Sequence, residues 1–255
     1  MSEKEITANK ETESKAITTF NANDYEALNP ASIENFKEAM EINLEGEDIS
    51  IRSIFTSISM PSGGSTMFSY ETVEGEVSTK EIVGIVVHIQ PERALFLGEF
   101  GESKYPECVS SDGKVGYGNP GGDCLTCVEN QFGPNNSPKP CKESKSTYIL
   151  IKGEHLPVVL RITPGSFKAL KNYRIGLLQK GLNLHSVETI FSLEKVKNAQ
   201  GIAFAKLVIR PGNRILDKNT IDNIKKMKEG MLPFITRTDF VSEPTIKTEA
   251  EAEFV

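Results

Sequence analysis

The chain of 255 residues has no long apolar run. Its most apolar stretches, Ile82–Ile89 and Val158–Ile162, fall far short of the roughly 20 residues that cross a bilayer, so no membrane-spanning helix is expected. Its first residues, Met1-Ser2-Glu3-Lys4-Glu5-Ile6, carry acid where a secretory signal carries a basic and then an apolar run. The expected compartment is the cytoplasm. Histidine is scarce: His88, His155 and His185 are the only three, and none has the spacing of a metal-binding pair. There is no Ser-His or Cys-His arrangement, no cluster of metal-binding carboxylates and no internal repeat. Gly116-x-Gly118 is too short for a phosphate loop and lies among the cysteines. Catalysis is therefore not expected.

With 38 % apolar and 25 % charged residues and a net charge of −6, the chain reads as an ordinary globular protein, not a strongly cationic nucleic-acid coat. The distribution of that charge is uneven. Residues 1–79 carry 5 basic and 15 acidic side chains, residues 80–215 carry 18 and 12, and residues 216–255 carry 6 and 8. A basic middle lies between acidic flanks.

Residues 1–25 are polar with few apolar anchors, too little burial to offset the entropy of ordering, and read as a disordered acidic leader. Residues 26–79 read as an N-terminal helix and extension: Ile33, Phe36 and Met40 give helical spacing over 30–43, and Met67–Tyr70 is strand-like after the Pro61-Ser62-Gly63-Gly64 turn. From residue 80 the pattern is β. Glu81–Gln90 is rich in β-branched residues, with Gly84 as a bending point. Arg93–Phe100 is its expected hairpin partner. Ser146–Lys152 and Leu156–Thr163 form a second pair, Thr163-Pro164 opens a helix bearing Phe167, Leu170, Tyr173 and Leu177, and Val187–Lys197 and Ile202–Arg210 form a third pair. The fold class is mainly β with a few helices. This element order, with its helix between the third and fourth strands, matches a five-stranded OB-like barrel over residues 80–215, with a zinc-ribbon-like loop module inserted at 105–145. A helix at 216–238 and an acidic disordered tail at 239–255 complete the chain.

All four cysteines fall within that inserted module, as Cys108-x15-Cys124-x2-Cys127-x13-Cys141. Two thiolates two residues apart can grip one ion through a tight knuckle, and two more from flanking arms complete the tetrahedron that zinc prefers. The glycine- and proline-rich surroundings have little core of their own, so metal binding would supply the missing folding energy. Structural Zn2+ on Cys108, Cys124, Cys127 and Cys141 is the expected cofactor. A disulfide or an unliganded state is the alternative.

Along Ile202–Arg210 the side chains alternate, which leaves Phe204, Lys206 and Arg210 on the face away from the core. An aromatic beside cations offers a stacking platform and phosphate neutralisation, the two needs of a single-stranded nucleic acid. Arg161, Tyr148, Lys168, Lys171, Arg174, Lys195 and Lys197 are the further candidates for that surface. Lys139, Lys142 and Lys145 add to the local charge. The plain alternative is a solvated basic face. The segment Asp239–Val255, with five acids and one Lys, is a solubilising end or a handle for partner proteins.

Met60-Pro61-Ser62-Gly63-Gly64, Cys108-x-Ser110-x-Asp112-Gly113-x-x-Gly116, Cys124-x-x-Cys127-x-x-Asn130-x-Phe132-Gly133, Cys141-Lys142 and Thr163-Pro164-x-Ser166 together resemble a family of predicted single-stranded DNA-binding proteins of bacteriophages and conjugative elements. The resemblance spans roughly residues 55–210. It implies an OB-type barrel with a zinc-binding insertion, in the host cytoplasm if phage-encoded. The chain departs from the family after Gly133, where Pro134-Asn135-Asn136-Ser137-Pro138-Lys139-Pro140 replaces a Gly/Lys-rich run. The expected function is non-catalytic, sequence-tolerant binding of single-stranded DNA in phage or mobile-element replication or recombination. Replication or recombination proteins are expected partners of the acidic tail. The competing expectation is a zinc-ribbon protein-interaction module, an adaptor or an inhibitor of a host system.

Overall fold

A computed structural model describes residues 20–25, 38–39, 42–43, 45, 54–61, 64–72, 75–96, 106–197 and 201–236. Most of the leader, most of the helix expected over 30–43 and all of the acidic segment 239–255 lie outside the described residues. The described part is mainly β. Its strands are β1 (Ser57–Ile58), β2 (Phe68–Thr72), β3 (Gly75–Thr79), β4 (Glu81–Leu95), β5 (Cys108–Ser110), β6 (Val115–Gly118), β7 (Gly122–Asp123), β8 (Lys142–Ile151), β9 (Val158–Ile162), β10 (Val187–Lys197) and β11 (Ala203–Arg214). Two helices accompany them, α1 (Phe167–Gln179) and α2 (Lys218–Ile235).

One mixed sheet runs β1-β9-β8-β4-β5-β6-β7, with β10 joined to both β4 and β11; β1 lies parallel to β9 and the other ladders are antiparallel. β2 and β3 form a separate hairpin. No sheet is closed: among the described residues no ladder joins β9 to β11, the contact that would seal a barrel, and the outer edge of β9 is taken by β1.

β4 departs from the expected hairpin. It passes straight through Gln90-Pro91-Glu92 and pairs with β8 along nearly its whole length, Pro91 opposite Lys145. Proline lacks an N–H, but Pro91 is exposed and β5 does not join β4 until Arg93, so the missing donor falls on an open edge. Gly84 stands where β4 contacts β8 and β10 together, opposite Ile151 and Thr189. A Cβ there would collide with the Leu150 carbonyl oxygen, so only glycine admits this close approach.

Both faces of the sheet are covered. Ile82, Val86, Ile149, Leu160, Phe191 and Leu207 form one core with Leu170 of α1. On the other face Ile85, Val87, Tyr148 and Leu150 pack under Ile224, Met227, Met231 and Ile235 of α2, joined by Tyr25 and Phe55. Residues 20–25, read as part of a disordered leader, are instead docked. Tyr25 is buried, stacks on Phe20 with ring centroids 5.7 Å apart, and donates its hydroxyl to Glu188 at 2.6 Å.

α1 follows a single 3-10 turn, Pro164–Ser166, and buries Leu170, Tyr173 and Leu177 at helical spacing. α2 starts at Asp217, whose carboxylate accepts the Thr220 N–H at 2.7 Å and the Thr220 hydroxyl at 2.6 Å. It fills most of the expected 216–238 span, with Met231 and Ile235 continuing its buried stripe to the end.

Candidate metal centre and nucleic-acid surface

The cysteine module is held by polar turns in place of a core. Asp112 accepts the N–H groups of Lys114 (2.7 Å) and Val115 (2.9 Å) and the Ser110 hydroxyl (3.0 Å). Against the desolvation of partial burial, these donors hold its carboxyl below the usual carboxylate range. Asp123 does the same for the Cys124–Cys127 knuckle, accepting the Leu125 N–H at 3.1 Å and the Thr126 hydroxyl at 2.9 Å. The turn before Cys124 requires glycine: Gly118 has φ +110°, and a Cβ there would strike the Glu107 carbonyl oxygen.

β5 places Cys108, the end of β7 places Cys124, the knuckle places Cys127 and the approach to β8 places Cys141. All four are free thiols lining one cavity of ≈ 10 Å³, room for a single ion or water. Gly116 forms part of its wall. A Cβ on Gly116 would lie 2.9 Å from Cys108 Sγ and 3.7 Å from Cys124 Sγ, so these two sulfurs occupy the space a side chain would fill. As the side chains stand, no group of three or more His, Cys, Asp or Glu among the described residues is placed to hold a metal ion. The donor set, four soft thiols around an ion-sized space, nevertheless suits zinc better than a hard cation.

Arg93 and Asn130 brace the module. Arg93 donates to Asn130 Oδ1 at 2.6 Å and to the Gly113 carbonyl at 3.2 Å, and pairs with Glu143 of β8 at 3.5 Å. Asn130 in turn donates to the Cys124 carbonyl at 2.6 Å. Burial pushes the Cys124 and Cys141 thiols up, and the Arg93 guanidinium opposes that rise.

The residues expected to hold a nucleic-acid strand do not share one face. On β11 the alternation stands as read: Ala205, Leu207 and Ile209 pack on the core, while Phe204 is 43 % exposed with Lys206 beside it. The cations of that outer face meet carboxylates, however: Lys206 pairs with Glu194 at 3.0 Å and Arg210 with Glu81. Lys195 and Lys197 lie opposite Ala205 and Ala203, on the other face of the hairpin, because directly opposed residues of an antiparallel ladder point the same way. Arg161 is exposed on β9, 3.9 Å from Glu92. Tyr148 is corrected outright. It is 2 % exposed and packs edge-on to Phe55 at 5.3 Å, because helix α2 and residues 20–25 cover the face where solvent was expected.

Lys168, Lys171 and Arg174 are exposed on α1. Lys171 and Arg174 line a groove shared with Phe167, Lys145 of β8, and Lys225 and Lys228 of α2. Lys145 is among the basic residues noted after the cysteine segment, whereas Phe167, Lys225 and Lys228 lie outside the expected surface. Lys145 and Phe167 are 22 residues apart in sequence and 38 residues separate α1 from α2, so no local pattern joins them. The sequence signal available was the Lys225-Lys226-x-Lys228 run alone.

Comparison of the chain with protein-family models, curated proteins and solved structures finds no match in any of the three.

Proposed function

We propose that the protein is a non-catalytic, sequence-tolerant single-stranded DNA-binding protein of phage or mobile-element type, stiffened by a structural zinc ion. The observation that carries this reading is the repeated pairing of a surface aromatic ring with a cation. Lys145 Nζ lies 4.2 Å from the Phe167 ring centroid, and Lys139 Nζ lies 5.0 Å from that of Phe132. Each pair sets a counter-charge for a phosphate against an aromatic ring, and Phe132, 66 % exposed, keeps apolar surface open beside the cation that covers one of its faces.

The sheet order supports an OB-like origin for the fold. β4, β8, β9, β10 and β11 follow an OB barrel's order, with α1 between the third and fourth strands, opened between β9 and β11. The phage or mobile-element part of the proposal rests on the motif resemblance read in residues 55–210, to which the comparisons add no match. Cys108, Cys124, Cys127 and Cys141 would hold the zinc, which supplies folding free energy and leaves no open position for catalysis.

A second reading, a protein-interaction module, draws on the apolar tip of the cysteine module. Leu125, Val128 and Phe132 are 78 %, 74 % and 66 % exposed within eight residues. A larger apolar patch rimmed by polar groups is a common mark of a docking surface.

Titration of a fluorescent single-stranded oligonucleotide at two salt concentrations, with the full chain and with a chain lacking residues 239–255, separates the two. The proposed function requires binding that weakens steeply with salt and varies little with base sequence. Absence of binding at low salt by the shortened chain overturns it and favours the protein-interaction reading.

A further inference from the structure

The groove between α1, the 3-10 turn Leu184–Ser186 and α2 has a volume of ≈ 830 Å³. Three elements bring five cations to it: Lys145 from β8, Lys171 and Arg174 from α1, and Lys225 and Lys228 from α2. No Asp or Glu lies among its described lining residues. Lys225 has a carboxylate one turn away on its own helix, Asp222 at 2.8 Å, and both side chains are exposed. Several cations elsewhere are neutralised from a distance in sequence. Lys152, Arg161, Lys206 and Arg210 each meet a carboxylate contributed by a different element.

Between the cations the groove is apolar. Lys171, Arg174, Ile175 and Leu178 recur at spacings of three and four, so one stripe of α1 presents charge and hydrocarbon together. Ile175 and Leu178 are 43 % and 75 % exposed, and Phe167 closes the near end beneath Lys145. The positive field reaches the floor. His185, whose Nε2 lies 3.0 Å from the Val87 carbonyl oxygen, is held below its ordinary range by burial first and, against that hydrogen bond, by Lys228 and Lys225.

We propose that this groove is a track for a single-stranded nucleic acid, with phosphates on the five cations and bases against Phe167, Ile175 and Leu178. The inference rests on the nucleic-acid reading above and moves the site from the outer face of β11 to the two helices. A single strand fits because its unstacked bases offer apolar faces, which a duplex hides. An acidic peptide is the other ligand whose charge suits the groove.

The test uses the full chain and labelled oligothymidylate at a series of salt concentrations, with a duplex of equal length in parallel. The variants are K171Q/R174Q and K225Q/K228Q in the groove and F204A/K206Q on β11, each checked for an unchanged melting temperature. The groove variants are expected to bind roughly tenfold more weakly at low salt and to lower the log–log salt slope by about 1.4, near 0.7 for each lost phosphate contact. The β11 variant is expected to bind as the parent does. Groove variants that bind like the parent, while F204A/K206Q loses affinity, overturn the track and leave the function standing. If neither the parent nor the chain lacking residues 239–255 binds a single strand at low salt, both fail. A labelled peptide of residues 239–255 that binds the parent, loses affinity in the groove variants and is not displaced by oligothymidylate assigns the groove to an acidic peptide and overturns the track.

Discussion

Glu188 is 1 % exposed on β10, and its carboxylate is held by the Tyr25 hydroxyl at 2.6 Å and Asn213 Nδ2 at 2.7 Å, with Lys152 Nζ at 4.0 Å. A buried carboxylate that loses a donor keeps its desolvation cost without the compensation. Tyr25→Phe is therefore expected to destabilise the fold by about 1–3 kcal/mol, read as a lower urea midpoint with an unchanged m-value. An unchanged midpoint would show that Tyr25 does not anchor Glu188. The Tyr25 hydroxyl is pushed far above its usual range, first by burial and then by Glu188, so it remains a proton donor at any working pH. None of this was legible locally. Tyr25 sits in a polar, acid-rich stretch, and its partner lies 163 residues away.

Among elements, the cysteine module depends most on a few positions. A Cβ on Gly116 would meet Cys108 Sγ at 2.9 Å, so on the proposed zinc site Gly116→Ala is expected to push that sulfur aside and weaken zinc binding by about 10- to 100-fold. Competition against a chromophoric chelator measures this; equal affinity in the two proteins removes Gly116 from the site. With the proposed zinc in place, a chelator is expected to open residues 106–141 to protease while β4, β8 and β10 stay protected, since those strands have cores of their own; a cleavage pattern unmoved by the chelator overturns the zinc proposal. The four-cysteine spacing and its glycine-rich loops were plain in the sequence. The bracing by Arg93 was not, because Arg93 lies in the segment expected to form a hairpin and reaches Asn130 only by continuing β4 past Pro91.

For the molecule as a whole, pH acts through the two histidines between the sheet and α2. His88 and His185 are both held below the ordinary 6.5, by burial first and by Lys228 among the neighbouring charges, while a bond to Gln90 or to the Val87 carbonyl opposes the shift. In this window the unfolded chain binds protons that the folded chain refuses, so ΔG of unfolding rises with pH. Stability is full above about 6.5 and is lost as pH falls from there toward the depressed folded values, by at most about 1.4 kcal/mol per pH unit for each histidine. Urea unfolding at intervals between about pH 5 and 7.5 measures the slope. His185→Gln is expected to reduce it, and a slope unaltered in the double variant His88→Gln/His185→Gln would assign the dependence to other groups.

Local pattern by itself determined the strand pairs β8–β9 and β10–β11, the apolar face of α1, the alternation along β11 and the grouping of the four thiols, because each follows from the period of a strand or helix or from short spacing. Tertiary structure decided what covers each face. Tyr148 is core because α2 packs over it, the β11 cations are neutralised because β4 and β10 carry acids opposite them, and β9 stays apart from β11 because β1 occupies its edge. Burial and charge pairing are set by which distant elements meet. The scarcity of long apolar runs fixed how each strand reads, and only the assembled sheet fixed where five lysine and arginine side chains could gather without a lining carboxylate among the described residues.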